Sequence, residues 1–283
     1  MNNLKTLMLM VLLGAIMIFI GGIVGGRTGM MFMLVLSLGM NMFSYWFSDT
    51  MVLKMYDAQE VTREESPHLY DLVEQLAANA QLPMPKVFII ESDVPNAFAT
   101  GRNPSHAAVA VTTGIMQVLD YKELSGVLAH ELSHVKNRDI LTSTIAAMMA
   151  NVITYAAQFM AFFGGRSDEE DSGNPIAALA MVILAPIAAM LIQMAISRSR
   201  EYEADHDGGV ICGNPNHLAD ALEKIEYYAT HAQPMRDANP ATAHMFIINP
   251  FAGVDAKQLF STHPATEERV QLLREQARKM GIR

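Results

Sequence analysis

Cysteine is almost missing from this chain. Cys212 stands alone among 283 residues. No intramolecular disulfide is therefore possible, and the polar parts fit a reducing compartment. Charge is scarce as well. Asp, Glu, Lys and Arg make up 17% of the residues, where soluble domains carry about 25%, and 51% are apolar. Basic residues are the minority, 20 against 29 acids, for a formal net charge of -9. No basic patch with interleaved aromatics occurs, which argues against a nucleic-acid partner. No internal repeat of fixed period is present. The length admits one large domain or two small ones.

The scarce charges are also unevenly placed. None falls between Lys5 and Arg27, between Arg27 and Asp49, between Asp139 and Arg166, or between Asp171 and Arg198. A helix needs about 20 apolar residues to cross the hydrocarbon core. The four windows therefore predict four transmembrane helices, near residues 6–26, 30–48, 141–163 and 176–196. The first pair is joined by GGRTG and the second by the acidic loop GGRSDEEDSGNP. The first window is longer than a signal-peptide core and runs at once into the second, so it reads as retained. Pro186 in the fourth is tolerated in a membrane helix. Lys5, Lys54, Lys136, Arg138, Arg198 and Arg200 flank the spans on one side, and the short loops hold only Arg27 and Arg166. By the positive-inside rule both termini and both polar segments face the cytoplasm. The predicted organisation is a hairpin at 1–48, a first polar segment at 49–140, a second hairpin at 141–196 and a second polar segment at 197–283.

The first polar segment reads as α+β. SPHLYDLVEQLAANAQL predicts a helix, with Ser66 as cap, Pro67 at its first position, and Leu69, Leu72, Val73 and Leu76 at helical spacing. PKVFIIES predicts a strand, PNAFATGRNPSH a turn-rich stretch, and AAVAVTTGIM a second strand. Asp120 opens a helix, with Glu123 three residues on as in a capping box.

That helix carries HELSH at residues 130–134. On a helix His130 and His134 lie about 40° apart around the axis and one turn from each other. Both imidazoles can reach one ion. Glu131 borders the same face and can reach a water on that ion without being a ligand. Two imidazoles that hold zinc, and a carboxylate that takes a proton from its water, form the chemical content of H-E-x-x-H. A catalytic zinc wants a third protein ligand. SRSREYEADHDGG, after the fourth window, offers Glu201, with Asp205 one turn on to accept the other ring N–H of a ligating histidine. Glu203 and His206 are rival ligands on other faces.

Five stretches in order, HELSH followed by Asp139, EYEAD after a hydrophobic hairpin, NAFATGRNP, HMFIINPF and STHPATEERV, resemble the HtpX family over essentially the whole chain. These are bacterial membrane zinc metalloproteases related to the CAAX prenyl proteases. The resemblance implies a mainly helical α+β fold: a thermolysin-like zincin core attached to four transmembrane helices in the inner membrane. It implies one Zn2+ per chain held by His130, His134 and Glu201, with Glu131 as base and Asp205 behind the ligands. It places Asn96 and Ala97 in the substrate-binding edge. The activity implied is ATP-independent endoproteolysis of misfolded membrane proteins, alongside an ATP-driven membrane protease. The expected partners are unfolded or membrane-protein substrates, other membrane proteases and the lipid bilayer.

Peptide hydrolysis also needs a donor for the tetrahedral oxyanion besides the metal. The candidates are His263, in STHPATEER, and Arg269. An extended substrate can add to the edge of the 97–112 region. Residues 230–255, rich in proline and carrying HMFII, form a candidate lid. His68, His106, His217, His231 and His244 have no partner at ligand spacing and read as surface residues. The 22 methionines fill spans rather than a binding surface. The alternatives are a CAAX-type processing protease, a catalytically silent membrane scaffold or holdase, and a soluble metalloprotease with buried helices.

Overall fold

The computed structural model describes residues 2–141, 198–231 and 264–282. The third and fourth expected spans, nearly all of the candidate lid, His244 and His263 lie outside the described residues.

Helix α1 (Asn2–Met55) folds back on itself. The reversal is at Gly26, whose φ of +57° is cheap only without a Cβ. A straight helix would put Asn41 about 46 Å beyond Met10; instead Asn41 Nδ2 donates to the Met10 carbonyl at 3.2 Å. Gly21 and Gly29 meet backbone to backbone, where a Cβ on either would strike the other's carbonyl. The expected hairpin around GGRTG is therefore present. Its second arm, Gly26–Phe47, is long and apolar enough to cross a membrane, and its first contains the shorter apolar stretch Met10–Phe19. Phe19, Phe32, Val35 and Met42 are 65–70% exposed, an apolar surface that suits lipid better than water.

Four strands follow: β1 (Gln59–Glu60), β2 (Lys86–Ile90), β3 (Ala97–Gly101) and β4 (Ala107–Thr112), in the order β1-β2-β4-β3. β2 and β4 are parallel, and β3 is antiparallel to β4. Strand β3 lies inside the stretch expected to be turn-rich. Only its far end turns, at Gly101 (φ +137°) and the 3-10 turn Pro104–His106. Alternation splits the sheet cleanly. Phe88, Ile90, Phe98, Ala108 and Ala110 pack on Val52 and Leu53 of α1, while Val87, Ala97, Ala99, Val109 and Val111 face the main helical core. Thr112 N donates to the Asn96 carbonyl at 2.9 Å. The ladder bonds of β3 therefore belong to residues 96, 98 and 100, and the N–H and C=O of Ala97, Ala99 and Gly101 point to the open edge.

Helix α2 (Pro67–Asn79) buries Leu69, Leu72, Val73 and Leu76 as its spacing requires. Ser66 sits at its N-cap without a side-chain bond; its carbonyl accepts the first helical bond, from Tyr70 N at 3.0 Å. β4 ends at Thr112, and TGIM does not extend it. Thr112 Oγ1 accepts from Ile115 N and starts the short helix α3 (Thr113–Val118). Helix α4 (Tyr121–Lys136) begins with the expected Asp120–Glu123 capping box. Helices α5 (Arg198–Cys212), α6 (Pro215–His231) and α7 (Thr266–Lys279) complete the described fold. α4 is central, packed most heavily on α5 and α6. Glycines permit both approaches. A Cβ on Gly208 would lie 2.9 Å from the His130 backbone, and one on Gly126 would lie 2.7 Å from Leu218 Cα.

Candidate metal centre

The close approach at Gly208 sets α5 against the middle of α4. Ser133 Oγ bridges the same seam, 2.7 Å from the His130 carbonyl and 3.1 Å from that of Ala204. In this register His130, His134 and Glu201 converge, with one ligand atom from each within 4.8 Å of the others. The two Nε2 atoms face each other at 3.2 Å. Glu201 Oε2 and Oε1 stand 3.7 Å from the His130 and His134 Nε2 atoms. Glu203 and His206 are exposed on α5, away from this group.

Each imidazole is backed by a carboxylate. His130 Nδ1 is 2.9 Å from Asp205 Oδ1, although the angle falls outside a regular hydrogen bond. His134 Nδ1 is 3.0 Å from Asp139 Oδ2. Asp139 reaches back because Arg138 adopts a left-handed φ of +57° and folds the chain under the end of α4. Asp205 is gripped in turn by Arg269, whose Nε and Nη2 donate at 2.8 and 2.6 Å. Arg269 is fully buried. Burial opposes the charged Asp205 carboxylate, but the adjacent guanidinium overrides it and holds the carboxyl down to about 2. Burial likewise lowers the pKa of His134, and Asp139 more than reverses this, raising it to about 10. The Glu131 carboxyl is pushed up by burial; His130, His134 and the Ala99 N–H oppose the rise without cancelling it. That N–H, on the open edge of β3, donates to Glu131 Oε2 at 2.9 Å.

The donor set fits a metal ion. With carboxylates against both Nδ1 atoms, each ring is steered to carry its proton there. Without a metal the two Nε2 atoms share a proton at 3.2 Å, as the raised His134 requires; once that proton leaves, both Nε2 lone pairs face the same point and can hold a cation. Tetrahedral bonds of about 2.0–2.1 Å place two ligand atoms about 3.3 Å apart.

Of the other expected site residues, Asn96 and Ala97 are buried where β3 begins. Asn96 is locked to Thr112 through its backbone N–H and carbonyl. Arg269 has its Nε and Nη2 committed to Asp205. His68 and His106 are exposed, whereas His217 is half-buried against Ser125 Oγ at 3.2 Å. Sequence reasoning assigned no role to Asp139 or Ala99. The signals for the first were its place just past the end of a ligand-bearing helix and in the HELSH-to-Asp139 stretch that carries the resemblance; a backbone donor leaves no signal at all.

Known proteins share this arrangement of elements. The model of peptidase family M48 matches residues 63–277. "Protease HtpX homolog" from Paraburkholderia phytofirmans is 57% identical over 278 residues, 98% of this chain and 98% of its own. A protein of the same name from Ralstonia pickettii is 57% identical over 277 residues, 98% and 97% of the two chains. Among solved structures, S. mikatae Ste24p matches the fold with a TM-score of 0.51 at 17% identity, covering 96% of this chain. This chain spans 65% of the length of that one. With a family match over most of its length and curated relatives alike from end to end, the chain belongs to peptidase family M48, the metalloproteases.

Proposed function

We propose that this protein is an integral-membrane zinc endopeptidase with one Zn2+ held by His130, His134 and Glu201. The observation that carries the reading is the pair of Nε2 atoms 3.2 Å apart, each ring backed by a carboxylate. Two imidazoles and one carboxylate leave a fourth position open, the usual pattern of a catalytic zinc. When bound, the metal supplies Lewis acidity to the scissile carbonyl and acidifies the attacking water. Glu131 accepts the proton of that water and delivers it to the leaving amine. The Ala99 N–H holds one Glu131 oxygen and leaves the other to take that proton. Arg269 acts through Asp205, which orients His130. The oxyanion donor is then His263.

Substrate lies extended on the open edge of β3, past Asn96 and Ala97, and takes main-chain bonds that ignore side chains. This favours unfolded or misfolded membrane proteins, hydrolysed without ATP, in association with other membrane proteases. Two hairpins, 1–48 and 141–196, divide a cytoplasmic zincin domain into 49–140 and 197–283. The flanking Lys and Arg residues support that orientation.

The test is cleavage of an unfolded, labelled protein by wild type and by Glu131→Gln, with zinc content measured in both. Zinc in both, and a rate loss of about 10²–10⁴-fold in the variant, is the expected result. Equal rates would remove Glu131 as base. Zinc in both with no cleavage by either would favour the scaffold reading.

A further inference from the structure

The edge strand that borders the metal centre is braced at two points, one on the membrane hairpin and one on the chain just past α1. At one end, the Arg102 guanidinium stacks on the Trp46 ring, 4.8 Å from its centroid, and Nη1 donates to the Trp46 carbonyl at 3.3 Å. At the other, the Phe98 and Tyr56 rings lie 5.5 Å apart. Trp46 to Tyr56 is about 15 Å along a helix, and Arg102 to Phe98 is about 13 Å along a strand. The matched lengths mean that β3 runs beside α1 in the opposite direction. Val52 and Leu53 fill the space between α1 and the sheet.

Trp46 closes the one described segment able to cross a membrane, Gly26–Phe47. It is half-exposed, with Phe43, Tyr45 and Phe47 around it. Aromatic rings beside a basic group at the end of a span mark the headgroup level. Arg102 therefore sits at that level, and β3 climbs away from the bilayer. Ala99, which holds Glu131, is three residues up the strand, about 10 Å above the membrane surface.

We infer that the protein measures its cut from the bilayer. A substrate chain that leaves the membrane beside Trp46 and Arg102 and lies along β3 reaches Glu131 after about three to five residues. The preferred substrates are membrane-anchored polypeptides with an unfolded flank, cleaved at that short fixed distance from the span. Trp46 and Arg102 are positioning residues that set the distance. The inference rests on the membrane-protease reading above.

The full-length, zinc-loaded protein in lipid nanodiscs is given two substrates: a single-span protein with an unfolded tail, and a soluble unfolded polypeptide. Products are mapped by mass spectrometry. The expected stub beyond the span is about three to five residues, and a Gly-Ser spacer inserted after the span leaves its length unchanged while the cut moves in sequence. The double variant Trp46→Ala, Arg102→Ala broadens the stub lengths on the anchored substrate, while its cut sites on the soluble polypeptide stay those of wild type. Cuts that follow the same amino acids through the spacer, or that spread over the whole tail, overturn the inference and leave the protease reading intact. So does an unchanged narrow stub in an active double variant. Failure of wild type to cut either substrate overturns the protease reading and this inference with it. If the double variant does not fold, the wild-type spacer series decides alone.

Discussion

The two histidines of the centre are one helical turn apart on α4, yet they are held very differently. Behind His130 stands Asp205, and both of its oxygens are taken by the buried Arg269. Behind His134 stands Asp139, whose Oδ1 is buried without a hydrogen bond. The nearby cation is Arg200, whose charge is opposed by burial and supported by Asp139 and Glu201. Its Nε and Nη1 also make no hydrogen bond. One half of the centre is tied into the helical core through a bidentate pair from α7. The other is held by a loop in left-handed conformation at Arg138. The firmly anchored carboxylate thus meets its histidine at a poor angle, while the less anchored one bonds its histidine regularly, and stability and metal affinity should separate between the halves.

The comparison breaks most plainly at Arg269. Arg269→Ala leaves Asp205 as a buried, uncompensated charge, expected to cost about 3–5 kcal/mol in a denaturant or thermal melt. Arg200→Ala should cost much less; an equal loss would erase the asymmetry. The wild-type pair has a defined pH window. The folded Asp205 carboxyl is held down to about 2, below an unfolded value of about 3.9. Its contribution is therefore complete above the unfolded value and declines as pH falls from about 4, until it is gone below about 2.

Gly208→Ala drives a methyl into the His130 backbone, and about 1–3 kcal/mol of overpacking is expected, with zinc affinity falling too. Asp139→Asn should act on the other half. It is expected to weaken zinc about 10–100-fold by equilibrium titration and to lower the metal-free melt by less than Arg269→Ala does. A large drop in that melt would show the His134 side to be as structural as the other. Asp120→Ala removes the cap of α4, which serves both halves, for about 1 kcal/mol and no change in their ratio. Glu203→Gln, on the exposed face of α5, should stay within about 0.5 kcal/mol and keep its zinc. Zinc loss there would move the third ligand away from Glu201.

Much of this site was legible in the sequence because its signals are local. HELSH, the Asp120–Glu123 cap and the i, i+4 pair of Glu201 and Asp205 follow from helical spacing alone. The hairpin at Gly26 was legible in GGRTG between two charge-free windows. Strand β3 was not. Ala-Phe-Ala-Thr-Gly is weak in β-branched residues and sits among turn formers, and its strand character comes from pairing with β4. The partner of Arg269 was also hidden. A sequence reveals a cation, but not a carboxylate 64 residues away on another helix. Asp139 was hidden for a third reason. Its reach depends on a left-handed backbone at an arginine, a residue that does not advertise one.

The seam between α4 and α5 has a mechanical consequence. His130 and His134 ride on one helix and Glu201 on the other, and Ser133 ties the two together at the middle of the seam. A shear of α5 along α4 would open the ligand triangle before it loosened the hydrophobic core, so a bound metal would serve as a clasp between two helices as well as a reagent.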